Sequence, residues 1–154
     1  MKCIIPGSFD PVTVGHADII NRAALLFGEV YAVVFDNSDK RYTFTSQKRL
    51  EMLRLSCAEL PNVTIGLSDG MLVDYMRDHE IKYIVKGVRG MVDFDYELGL
   101  ANINRSFDRE VETILIPSKP EFSHISSTVV RELIKYKKPL HGYIPESVIT
   151  LLDN

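Results

Sequence analysis

The chain of 154 residues has no tryptophan and only two cysteines. Cys3 and Cys57 stand among apolar neighbours, one in an expected strand and one on an expected helix, so they read as reduced core residues and not as a disulfide or metal pair. Long apolar runs are missing too. No stretch approaches the roughly 20 residues that a membrane span needs, and the N-terminus enters a strand at once, without the charged-then-apolar layout of a signal peptide. A cytoplasmic protein with no membrane partner is expected. There is no excess of positive charge: the net charge is −3, which argues against nucleic acid as a partner, since that needs a basic stripe to displace counterions. A small anion needs only a local cluster of donors and cations. Among the four histidines, His79, His124 and His141 share no ligand spacing with each other, so no protein metal cage is expected.

What is present is an ordinary globular composition, 45% hydrophobic and 25% charged, of a length that suits one domain over residues 1–154. Apolar β-rich runs at Lys2-Cys3-Ile4-Ile5, 30–35, 63–65, 81–85 and 111–116 predict five strands. Helical periodicity lies between them. The first helix is expected from about His16 to Phe27 with Ile19, Ile20, Ala23, Ala24 and Phe27 on its buried face, stopped by Gly28. Thr45 or Ser46 caps a second carrying Leu50, Leu53, Cys57 and Leu60. A third runs from about Met71 to His79, and Asp93 caps a fourth that reaches about Arg105. Ser126-Ser127-Thr128 caps a fifth, and Pro145 opens a last short one. Five strands alternating with helices, without linker or repeat, imply an α/β fold with an open, doubly wound parallel sheet.

Ligands of such sheets bind beyond the carboxyl ends of the strands. The polar clusters fall there: 6–16, 36–42, 68–72, 86–90 and 117–128, bringing Lys40, Lys86, Arg89, Lys119, His16 and helix N-termini to one rim, a composition that reads as polyphosphate binding. The stretch 6–16, Pro-Gly-Ser-Phe-Asp-Pro-Val-Thr-Val-Gly-His, turns a strand into a helix. His16, in the first turn after Gly15, can donate to a phosphoryl oxygen or simply bond local backbone. Ser8 and Thr13 supply turn and cap hydroxyls, and Asp10-Pro11 starts a turn. Lys40 and Arg41 share a mixed-charge loop with Asp36 and Asp39. Asp93 and Asp95 suit the first turn of a helix, whereas Glu97 can face the rim and accept from a ribose hydroxyl.

With these residues assembled, nearly the whole chain resembles the bacterial phosphopantetheine adenylyltransferases of the nucleotidyltransferase superfamily with its T/H-x-G-H signature. The resemblance rests on Pro6 to Pro11 followed by Thr13-Val14-Gly15-His16, and on Lys86-Gly87-Val88-Arg89. It rests further on Asp93 to Glu97, Asn104-Arg105, and Ile125-Ser126-Ser127-Thr128 with Val130-Arg131. It implies a single Rossmann-like nucleotidyltransferase domain that transfers the adenylyl group of ATP to 4′-phosphopantetheine, giving dephospho-coenzyme A and pyrophosphate by direct attack of the acceptor phosphate. It implies that His16, Ser8 and Lys40 are catalytic. ATP is then met by Ser8, Phe9, Gly15, His16, Gly87, Val88, Arg89, Glu97, Phe122, Ser123, His124, Ile125, Ser126, Ser127 and Thr128, and the acceptor by Ser8, Lys40, Leu72 and Lys86. Mg²⁺ comes with ATP, without a dedicated protein site. A homo-oligomer, a hexamer, is implied as well. Three positions depart from the family pattern: Ser8 stands where Thr is common, Lys86 where Arg is common, and Ser38-Asp39 where a proline usually precedes the lysine. The alternatives are another nucleotidyltransferase with a different phosphate acceptor and a nucleotide-binding module without chemistry.

Overall fold

A computed structural model describes residues 1–37 and 39–152. Ser38, one of the departures noted above, lies outside the described residues. The strands are β1 (Lys2–Gly7), β2 (Glu29–Phe35), β3 (Val63–Ser68), β4 (Tyr83–Val88) and β5 (Glu112–Pro117). They form one parallel sheet in the order β3-β2-β1-β4-β5. The helices are α1 (Val14–Leu26), α2 (Ser46–Ser56), α3 (Leu72–Asp78), α4 (Met91–Phe107), α5 (Ser127–Lys135) and α6 (Glu146–Leu152). The order of the strands reverses between β1 and β4, so the chain turns outward in both directions from that pair. The turn after β1 and the turn after β4 therefore open side by side, which is where this topology places a ligand.

The central strands are apolar on both faces because both are covered. Cys3 and Ile5 of β1, with Val30, Ala32 and Val34 of β2, pack with Ile19, Ile20 and Ala23 of α1, Leu53 of α2, Val130 of α5 and Val148 of α6. Ile4, Val33 and Ile84 point the other way, against Met76 of α3 and Ile81. Each such side chain taken out of water contributes about 1.5–3 kcal/mol. Gly87 is fitted to this packing, since a Cβ there would lie 2.8 Å from Cγ1 of Ile19. Its bareness lets α1 sit close on β4.

Several boundaries differ from the expectations. α1 begins at Val14, two residues early, because Thr13 accepts a bond from the His16 N–H and caps it. Gly28 does not act as a left-handed stop; the helix ends at Leu26 with Phe27 extended and buried in the core. β4 continues through Lys86, Gly87 and Val88, which pair with Leu115, Ile116 and Pro117. Gly90, not Asp93, is the cap of α4, and Asp93 lies in its first turn with its carboxylate turned back to Arg89. α2 ends at Ser56, leaving Leu60 beyond it. A 3-10 turn at Pro120–Phe122 interrupts the loop after β5.

Candidate active site

Two cavities open along the carboxyl edge of the sheet. The first, about 460 Å³, lies between the turn after β1, the end of β4 and the N-terminus of α5. Of the residues named from the sequence, Ser8, Phe9, Gly15, His16, Lys86, Gly87, Arg89, Glu97, Phe122, Ile125, Ser126, Ser127 and Thr128 line it. Val88, Ser123 and His124 do not. Val88 spends its carbonyl on the Ser118 N–H, and the His124 ring lies edge-on to Tyr143. The second cavity, about 760 Å³, is lined by Lys40, Leu72, Asp36, Tyr42 and Asn104, among others. Arg41 lines neither. Ser8, Lys86, Tyr96 and Glu97 line both cavities and form their common wall.

His16 is held by a reciprocal cap. Its backbone N–H donates to Oγ1 of Thr13 at 3.2 Å, and the Thr13 N–H donates to Nδ1 of His16 at 3.1 Å. A nitrogen that accepts from a backbone N–H carries no proton, so the ring's proton is on Nε2. Burial, followed by the charges of Arg89 and Lys86, lowers the His16 pKa from 6.5 to about 4. The ring is thus neutral at physiological pH, with its Nε2–H held in a fixed direction. The Phe9 ring meets it edge-on at 5.1 Å, and itself covers Gly7, where a Cβ would touch that ring at 3.0 Å. The bond to local backbone read from the sequence is present at Nδ1, and Nε2 carries the remaining N–H.

The cations are oriented by carboxylates. Arg89 donates from Nε at 2.7 Å and from a terminal nitrogen at 3.0 Å to Asp93, and its other terminal nitrogen reaches the Ile125 carbonyl at 3.3 Å. The same bonds hold the Asp93 pKa below its ordinary value. Lys86 and Glu97 pair with each other at 3.1 Å in the common wall. Lys119, expected on the rim, is bound at 2.8 Å to Asp18, whose side chain is almost wholly buried, and it lines neither cavity. Arg22 also reaches Asp18, at 3.3 Å, and donates to the Pro117 carbonyl at 2.8 Å, tying α1 to the end of β5.

At the α5 end, Ser126 caps the helix by accepting from the Val129 N–H at 3.1 Å, while Ser127 donates to the Pro11 carbonyl at 2.8 Å. Arg131 donates to the Asp10 carbonyl at 2.7 Å. α5 is thereby bonded to the turn that leads into α1, and the N-termini of both helices face the first cavity with their positive dipole ends. The arrangement suits an anion with several phosphoryl groups. Sequence reasoning passed over Arg49, although a signal was there: it falls on the apolar face of α2 with Met52 and Leu53, where a charge calls for a partner.

The comparisons with known proteins agree with this geometry. Residues 4–133 match the cytidylyltransferase-like family. The phosphopantetheine adenylyltransferase of Symbiobacterium thermophilum is 46% identical over 145 residues, covering 94% of this chain and 90% of that protein. Those of Staphylococcus carnosus and Nautilia profundicola are 42% and 40% identical, covering 96% of this chain in each case and 91% and 96% of theirs. With a sheet whose order reverses beside a capped histidine and a cation-lined cavity, the chain belongs to the phosphopantetheine adenylyltransferases of the cytidylyltransferase-like family.

Proposed function

We propose that the protein transfers the adenylyl group of ATP to 4′-phosphopantetheine, forming dephospho-coenzyme A and pyrophosphate. The observation that carries this is His16, its Nδ1 bonded to the Thr13 N–H, at the head of a cavity that Arg89 and the α5 N-terminus also line. ATP occupies the first cavity, its β- and γ-phosphates against Ser126 to Thr128 and Arg89, with Phe9, Gly15, Gly87, Phe122 and Ile125 along its length. The acceptor occupies the second, its phosphate near Ser8, Lys40 and Lys86 and its arm against Leu72. Both substrates meet at the common wall. An oxygen of the acceptor phosphate attacks the α-phosphorus of ATP as the bond from that phosphorus to the bridging oxygen breaks, and that oxygen leaves on pyrophosphate. No residue has to take a proton from an ionised phosphate nucleophile. His16 donates from Nε2 to the α-phosphoryl oxygen as its charge grows, and positioning supplies the rest.

ATP enters as its Mg²⁺ complex, the ion offsetting phosphate charge. Asp93 and Glu97, the carboxylates lining the first cavity, are engaged by Arg89 and Lys86, so phosphate oxygens and water fit as the ion's ligands better than protein does. Glu97 accepts from the ribose once Lys86 turns to phosphate. We propose a cytoplasmic location, where ATP is at hand; no helix among the described residues is long and apolar enough to cross a membrane. We also propose a homo-oligomer, a hexamer as the family resemblance implies. Its support is α4, which carries no buried residue yet exposes Met91, Val92, Phe94, Leu98, Ile103 and Phe107; a monomeric mass by light scattering would refute it.

The test is acceptor-dependent release of pyrophosphate from ATP by the purified protein. Release with 4′-phosphopantetheine is expected. Release only with another phosphate acceptor would reassign the substrate, and ATP binding without release under any acceptor would make the protein a binding module.

A further inference from the structure

Arg49 is the largest fully buried side chain, 1% exposed, and it touches neither cavity. Its three donor edges go to three different segments. Nε donates to the Phe44 carbonyl at 3.1 Å, one terminal nitrogen donates to the Ser8 carbonyl at 2.9 Å, and the other is paired with the Asp36 carboxylate. The guanidinium lies 3.8 Å from the centre of the Tyr42 ring. Tyr42 in turn accepts from the Asn37 N–H at 3.0 Å, and the Lys40 N–H donates to the Asn37 carbonyl at 2.9 Å. Asp10, also buried, accepts from the N–H groups of Thr43 and Phe44 at 2.9 Å each. The loop that carries Lys40 is therefore closed at its start by Asp36 and at its end by Phe44 on one planar cation, which at the same time holds the backbone of Ser8.

We propose that Arg49 is a positioning residue for the acceptor phosphate: it fixes the Lys40 loop in register with Ser8, so that both groups reach one phosphate in the cavity they line. The chemistry requires arginine, because five N–H donors in a rigid plane satisfy three acceptors at fixed angles and stack on Tyr42, whereas an ammonium does neither. The inference rests on the reading of Lys40 and Ser8 as acceptor contacts. Its consequences are separable from that reading, because Arg49 and Lys40 do not have to be perturbed together.

The experiment is steady-state kinetics on Asp36→Asn, Lys40→Ala, their double variant and Arg49→Lys, with the KM of each substrate measured separately and folding followed by circular dichroism. Asp36 lines the second cavity, so removing its charge would by Coulomb attraction alone improve phosphate binding. Loss of positioning acts in the opposite direction. The expected result is that Asp36→Asn lowers kcat/KM for phosphopantetheine roughly tenfold or more while the KM for ATP changes less than about twofold. The double variant should be no worse than Lys40→Ala alone, since two changes on one linkage are not additive. Arg49→Lys should show the same split; if it fails to fold, Asp36→Asn decides. An unchanged or improved acceptor KM in Asp36→Asn, with Lys40→Ala impaired, overturns the positioning role alone, and so do multiplicative effects in the double variant. A silent Lys40→Ala overturns it together with the reading of the site.

Discussion

The protonation state of His16 can be measured directly, and its surroundings say in which direction it is shifted. A fall in pKa from 6.5 to about 4 corresponds to about 3 kcal/mol in favour of the neutral ring, at 1.36 kcal/mol per pH unit. Its first cause is burial and its second the charge of Arg89 and Lys86. Between pH 6.5 and about 4 the unfolded chain carries a proton on this ring that the folded chain does not. Stability from this group is therefore complete above about pH 6.5 and is lost progressively as pH falls towards 4. Imidazole nitrogen NMR should show the Nε2–H tautomer at neutral pH and a midpoint near 4. The same energy should appear in urea denaturation of the protein against His16→Gln, because glutamine can close the Thr13 cap without titrating. The difference between their stabilities should change by about 3 kcal/mol between pH 7 and 4, in the direction that weakens the native protein at low pH. A midpoint near 6.5, an Nδ1–H tautomer or parallel stability curves would refute the account of His16 as a neutral, pre-aimed donor.

Two further outcomes follow from the packing around it. Gly87→Ala places a methyl group 2.8 Å from the side chain of Ile19, and overpacking of that kind should cost about 1–3 kcal/mol by urea denaturation and lower kcat as α1 is displaced; unchanged stability would show that the close approach is not tight. Asp93→Asn removes the charged fork that orients Arg89, so the KM for ATP should rise several-fold while that for phosphopantetheine holds. Equal changes in both would place Arg89 outside the ATP cavity's work.

What the sequence by itself determined is whatever short-range periodicity and end chemistry encode. The β-rich runs, the apolar stripe of Ile19, Ile20 and Ala23, and the hydroxyls at Thr13 and Ser126 each act within a turn or two of chain, so the strands and most helices were legible. Their motifs, read together, also identified the rim. Boundaries slipped where a cap outranked a pattern, as at Thr13, and where an expected cap was engaged elsewhere, as Asp93 is by Arg89. Tertiary structure alone decided the strand order, the pairing of Lys86 with Glu97, the withdrawal of Lys119 onto Asp18, and the division of the rim into two cavities that meet at Ser8. It also decided the burial of Arg49 between Ser8, Asp36 and Phe44, and the low pKa of a histidine whose neighbouring charges, Arg89 and Lys86, lie at and just beyond the end of β4, more than 60 residues away in the chain. The physical reason is common to these cases. Charge interactions and desolvation depend on distance in space, and a local pattern of residues carries no distance to a partner on another strand.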